Sequence, residues 1–215
     1  MKPSQQLAKY LREPRVKRLY EKVKAEYDKR GPIAHGWDHI YRDIINSIWI
    51  GEAEGADMNI VIPAVILHDI GFLYNSHPKF HHMVGAKKCL EWLGDWDSEK
   101  KEMIRRCILR HKGKKRDFNY EPETIEEKVV YDADLLEKTG AISIFQGVRS
   151  MVEFAEGPLP KFRTLYNIAK KLEELSASEQ LKFYTKKGKE LAKRRRNIRK
   201  GVFSQAVEEL EKYEK

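Results

Sequence analysis

The sequence predicts an all-α, single-domain helical bundle, on three observations. Apolar residues recur at helical spacing along most of the 215-residue chain. No convincing pair of strands and no glycine-rich phosphate loop is legible in it. The length fits one domain, and a hydrophobic content of 41% is enough to build a core.

Taken in order, the charged start "MKPSQQLAKYLREPRVKRLY" lacks an apolar signal region, and residues 1–30 read as a helical extension. In "DHIYRDIINSIWIGEAEG", Ile40, Ile44, Ile45 and Ile48 mark a long amphipathic helix. "IPAVILHD" reads as a short buried helix with Pro63 in its first turn, where a missing N–H is harmless. "HHMVGAKKCLEWLG" places Met83, Ala86, Leu90 and Leu93 on one stripe and stops at Gly94. "DSEKKEMIRRCILRH" starts at an Asp97 or Ser98 cap and carries Met103, Ile104, Cys107, Ile108 and His111 in register. After the basic loop "KGKKRDFNYEPE", the stretch "TIEEKVVYDADLLEKTGAISIFQ" is helical again. "EGPLPKF" interrupts it, and two helices follow near 163–175 and 178–213. A core over 31–155 is thus expected, with the helices of 156–215 packed against it.

The longest apolar run, Val61 to Leu67, is far short of the ~20 residues that span a bilayer. A protein of the cytoplasm is expected, with no membrane partner. Cys89 and Cys107 sit in helical patterns and read as core thiols. Trp37, Trp49, Trp92 and Trp96 read as packing residues rather than a base-stacking platform. The net charge of +9 admits a polyanionic partner, and much of the excess lies in "KKGKELAKRRRNIRK".

All seven histidines fall between positions 35 and 111. An apolar run that ends in His68 and Asp69 buries two ionisable groups, which is costly unless something neutralises them. Adjacent helical residues point about 100° apart, so both can touch one ion lying between them. Further ligands must come from other helices: His39 near the start of the long helix, and the carboxylates Asp132 and Asp134 of "YDAD". Bundles assemble metal sites in this way. Imidazole and carboxylate ligands without thiolate favour Mn, Fe, Co, Ni or Mg. Water on such an ion becomes a nucleophile near neutral pH.

"HGWDHIYRD", "ILHDIG" and "YDADLLEKTGAISI", in this order and in helical context, resemble the HD-domain superfamily of metal-dependent phosphohydrolases. "FYTKKGKELAKRRRNIRKGVFSQAVEEL" is similar to the C-terminal helix of its small stand-alone members, so the resemblance covers roughly residues 30 to 210. It implies an HD-type helical core and His39, His68, Asp69 and Asp134 as metal ligands. Asp134 is chosen on family pattern, since periodicity leaves Asp132 open. It also implies His68 and Asp69 as catalytic residues, with Asp69 orienting or deprotonating the attacking water. His82 and His111 are candidates for a second metal or a substrate contact. His35, His77 and His81 read as loop, cap or supporting residues. Arg42, Lys112 and Lys114, with Lys115 and Arg116 behind them, are candidate phosphate contacts.

The expected activity is hydrolysis of a nucleotide or related small phosphate ester. Two other classes compete. A nucleic-acid-binding module on the same scaffold is suggested by the basic run 186–200, though it leaves the ligand set without a role. A di-iron oxygenase is the other, distinguished by iron near two per chain. In the last helix, Leu191, Ile198, Val202, Val207 and Leu210 are expected to dock. One or two of its basic residues at most, Arg195 and Lys187 first, are expected to approach the site.

Overall fold

Asp57 starts a deeply buried helix by accepting a hydrogen bond from the Asn59 N–H at 2.9 Å. This helix, α4 (Met58–Leu67), is apolar from its second turn on, with Asn59 its one polar residue, and Ile60 through Leu67 are all buried. A helix without a polar face belongs at the centre, and the others arrange around it. The computed structural model describes residues 3–115, 117–154, 165–178 and 181–213. Arg116 and the segment 156–162 lie outside the described residues.

Helices α1 (Pro3–Tyr10), α2 (Pro14–Arg30) and α3 (Trp37–Glu54) precede α4. A 3₁₀ turn (Ile70–Tyr74) leads to α5 (His81–Leu93) and α6 (Ser98–Arg110). Then come α7 (Ile125–Leu136), α8 (Ile142–Phe154), α9 (Leu165–Ser178) and α10 (Lys186–Glu211). Helices α2, α3, α6 and α7 pack on α4, α5 lies on α6 and the 3₁₀ turn, and α9 pairs with α10. Leu7, Val16, Leu19 and Val23 of the N-terminal helices join the same core as Ile48, Ile66 and Ile108. Truncating a fully buried side chain such as Ile66 to Ala is expected to cost ~2–5 kcal/mol.

The bundle is all-α, as the periodicity predicts, with local departures. Between α6 and α7 the basic loop closes on a small antiparallel hairpin, β1 (Gly113–Lys115) with β2 (Phe118–Tyr120). Six residues are too short for alternation to show. Pro63 sits mid-helix rather than in the first turn, because the Asp57 cap starts α4 earlier than the apolar run suggests. It therefore forgoes a helical hydrogen bond. On α5, Met83 and Leu90 are exposed, and the buried stripe is His82, Gly85, Ala86, Cys89 and Leu93. On α10, Ile198 and Val202 are exposed, while Ala192 and Phe203 dock instead. In both helices the true stripe includes small, polar or aromatic residues that a search for aliphatic spacing overlooks. Cys89 and Cys107 are buried free thiols.

Among the described residues no helix is long and apolar enough to cross a membrane.

Candidate metal centre

Helix α4 ends at Leu67, so His68 and Asp69 lie at its C-terminal end rather than within it. His68 is still helical, and Asp69 (φ −102°, ψ 9°) turns the chain into the 3₁₀ segment. Gly71 lets that turn press against α5, since a Cβ there would collide with the His81 carbonyl. This close approach brings His81 to Asp69.

Two groups of buried ligand atoms result. His39, Asp43, His68 and Asp134 form one, and Asp69, His81 and His111 the other. In the first, His39 Nε2 is 3.2 Å from Asp43 Oδ2 and 3.7 Å from Asp134 Oδ1. His68 Nε2 is 3.5 Å from Asp43 Oδ2. Asp69 stands between the groups. Its Oδ2 lies 3.3 Å from His39 Nε2 and 3.5 Å from His68 Nε2. Its Oδ1 lies 3.0 Å from His81 Nε2 and 3.5 Å from His111 Nε2.

These atoms fit a cation. His39 Nε2, His68 Nε2 and both carboxylate oxygens of Asp43 and of Asp69 are buried without a hydrogen-bond partner, which is costly for groups of this polarity. His68, His81 and His111 each place Nδ1 against the carbonyl three residues back (Val65, Pro78 and Ile108), at 2.7, 2.5 and 2.6 Å. A carbonyl only accepts, so Nδ1 carries the proton and Nε2 keeps its lone pair, the tautomer a metal requires. His81 and His111 then aim two lone pairs at each other across 3.1 Å, a repulsive pairing that a cation relieves. Burial also pushes the Asp43 carboxyl well above the usual carboxylate range; the nearby Glu137, Asp134 and Asp69 add to this, and His39 opposes it. A positive ion supplies the missing countercharge. Burial pushes His68 and His81 down to about 4, which keeps them neutral at pH 7.

The predicted residues His39, His68, Asp69 and Asp134 are thus brought together, and His111 lies with Asp69. His82 stands apart. It is buried, with neither ring nitrogen partnered, and packs against Phe118 at 4.5 Å between centroids. Asp132 faces the other way, accepting from the Thr185 N–H at 2.8 Å, the Thr185 hydroxyl at 2.6 Å and the Tyr184 N–H at 3.0 Å. Gly188 makes room for this clasp: a Cβ there would come 2.5 Å from Asp132 Oδ2.

Lys112 pairs with Asp134 (Nζ–Oδ2 3.4 Å), and nearby carboxylates keep it charged despite burial. Lys114 and Lys115 are exposed on the hairpin. Arg42 is taken up by Glu137, at 2.7 Å from Nε and 2.6 Å from Nη2, and by Asp38 at 3.0 Å. Along α10, Arg194 pairs with Glu190 in solvent, Lys187 pairs with Glu190 too, and Arg195 reaches Asn46 Oδ1 at 3.5 Å.

A cleft of about 230 Å³ opens above the first group, lined by His39, Asp134, Lys112, Glu137 and Lys138 on one side. Ser143, Gln146, Gly147 and Ser150 of α8 form the facing wall. This helix turns its polar stripe inward and leaves Phe145 72% exposed.

Sequence reasoning missed Asp43, although its place four residues after His39 on a helix was a usable signal. It left His81 among the supporting residues, because only the folded turn at Gly71 brings it to Asp69. The α8 wall carried no signal, since its serines and glutamine look like a solvated face.

The HD domain family matches residues 36–139, a span holding every ligand candidate named above. Residues 36–139 are an HD domain. The fold recurs in solved structures that span nearly the whole chain. Bacillus subtilis YpgQ in complex with ADP is 22% identical with a TM-score of 0.61, over 89% of this chain and 97% of that one. An HD-superfamily hydrolase from Bacillus thuringiensis is 24% identical with a TM-score of 0.62, over 91% and 96%. At such identities the likeness is one of fold. No curated protein matches the chain.

Proposed function

We propose that this HD-domain protein is a metal-dependent phosphohydrolase acting on a nucleotide or related small phosphate ester. One observation carries the reading: unpartnered buried nitrogens of His39 and His68 and carboxylate oxygens of Asp43 and Asp69, with His68 held in the ligating tautomer, cluster beneath a cleft that His39 and Asp134 line. A divalent ion held there by His39, Asp43, His68, Asp69 and Asp134 supplies Lewis acidity and water of lowered pKa.

The chain's own groups do the rest. Lys112, at the cleft edge, binds a phosphoryl oxygen and neutralises charge as it develops. Asp69 accepts the proton of an attacking water. The α8 wall offers hydroxyl and amide groups to the remainder of the substrate. The ADP in the YpgQ complex supports a nucleotide as the substrate class.

A two-ion form of the site is favoured by the placing of Asp69, whose two oxygens face different pairs of histidines. A di-iron oxygenase would share that feature, and iron near two per chain with a redox-sensitive absorbance would identify it.

The test is a phosphate-release screen over nucleotides and simple phosphate esters with Mn, Mg, Co, Ni and Fe, beside elemental analysis of the purified protein. Metal-dependent release, lost in Asp69→Ala, is expected. Metal-loaded protein that releases phosphate from none of them would overturn the reading.

A further inference from the structure

Three of the clustered histidines are oriented by backbone carbonyls, but His39 is not. It stands in the first turn of α3, and the carbonyl three residues back belongs to Gly36. That oxygen already accepts the backbone N–H of His39 at 3.1 Å and of Ile40 at 3.3 Å. His39 therefore needs an acceptor from elsewhere. Its Nδ1 faces Glu137 Oε2 at 3.5 Å, across the ring from the ligand cluster. The separation is long for a hydrogen bond, as contacts in unliganded sites often are.

Glu137 is itself held. Its side chain is buried, and Arg42 donates to it from both Nε and Nη2. Arg42 is in turn fixed by Asp38 and by Gln146 Oε1 at 3.4 Å, on the α8 wall. A buried carboxylate gripped on one side by a guanidinium accepts on the other with a fixed direction.

Resting on the reading of the cluster as a metal site, we propose that Glu137, clamped by Arg42, is the positioning residue of His39. It keeps the proton on Nδ1 and turns Nε2 toward Asp43 and Asp134. Glu137 is not a ligand; it acts through the imidazole. Arg42 acts one step further out, so its pairing with Glu137 and Asp38 competes with any phosphate contact.

The test uses Glu137→Gln and Arg42→Lys with two readouts. Imidazole ¹⁵N NMR of the metal-free protein, recorded at a pH high enough to leave the ring neutral, reports the His39 tautomer, and calorimetric titration with Mn²⁺ reports affinity. Glu137→Gln should mix the His39 tautomers while leaving those of His68, His81 and His111 unchanged. It should also weaken Mn²⁺ binding ~10–100-fold. Arg42→Lys, which keeps the charge but loses the two-point grip, should shift both in the same direction by less. A pure Nδ1–H tautomer at His39 in Glu137→Gln would overturn the proposal, as would unchanged affinity for Mn²⁺. The NMR arm needs no metal, so wild-type protein that binds no ion would sink the metal reading and leave the tautomer result to decide this one. Unchanged melting temperature in chelator shows that the Gln variant folds. If it does not fold, Arg42→Lys carries both readouts.

Discussion

Asp132 and Asp134 are two residues apart on α7 and face opposite ways: Asp132 clasps Tyr184 and Thr185 ahead of α10, while Asp134 lies 3.7 Å from His39 Nε2. A helix turns about 200° over two residues, so the same segment serves both sides. Asp134→Asn is expected to lose most metal affinity with little change in melting temperature under chelator. Asp132→Asn should do the reverse, costing ~1–3 kcal/mol of stability, because its buried acceptors serve the fold. Metal titration and thermal melts of both variants decide between these outcomes, and a larger metal loss in Asp132→Asn would reverse the assignment.

Asp43 should matter as much as the residues that the sequence motifs single out. Asp43→Asn is expected to weaken divalent-ion binding by at least the ~10–100-fold that a change outside the ligand shell costs. The rise in melting temperature that wild type shows on adding Mn²⁺ should shrink with it, because binding to the folded state alone is what stabilises it. A full Mn²⁺-induced shift in the variant would remove Asp43 from the site.

The lysines after His111 should separate cleanly. Lys112 lies at the cleft beside Asp134, whereas Lys114 is exposed on the hairpin. Lys112→Gln is expected to lower kcat/KM for a phosphate ester about 10-fold or more, equivalent to ~1.4 kcal/mol. Lys114→Gln, like Arg194→Gln on α10, should stay within a few-fold, since exposed charges contribute ~1 kcal/mol or less. Equal losses in Lys112→Gln and Lys114→Gln would count against the cleft as the phosphate site.

His82 gives a pH signature. Burial pushes its pKa down to about 3, with His111 and His81 adding to the effect. A group whose folded pKa lies below its unfolded value of ~6.5 binds more protons when unfolded. Its neutral burial therefore contributes fully above ~pH 6.5, and stability drains as pH falls toward 3. In chelator, His82→Phe should flatten the acid side of the melting-temperature profile and keep the aromatic packing on Phe118. Loss of Mn²⁺ binding in the same variant would instead make His82 a ligand.

The helices were legible because their apolar spacing survives folding, and the ordered histidine and aspartate motifs point to the residues now found around one buried point. What stayed hidden depends on contacts between distant segments. His81 reaches Asp69 only because Gly71 admits the chain, and Asp43 is an ordinary acidic residue until His68 packs above it. Arg42 reads from the sequence as a candidate phosphate contact, and only the fold reveals that Glu137, 95 residues later, occupies it. Burial on α5 and α10 misled for a related reason: a stripe of His, Gly and Cys packs as well as leucines do once a facing helix is near.

The clasp on Asp132 also sets an order of events during synthesis. When α7 leaves the ribosome, Asp132 is a carboxylate destined for burial with none of its partners yet made, because Tyr184 and Thr185 lie some fifty residues downstream. Until they emerge, α7 has reason to hold that face toward water. Asp134, on the opposite face of the same helix, is held against His39 by the apolar residues Val129, Val130 and Ala133 that dock α7 on the core. A nascent chain halted before the start of α10 therefore carries His39, Asp43, His68, Asp69 and Asp134 while Asp132 still lacks its partners.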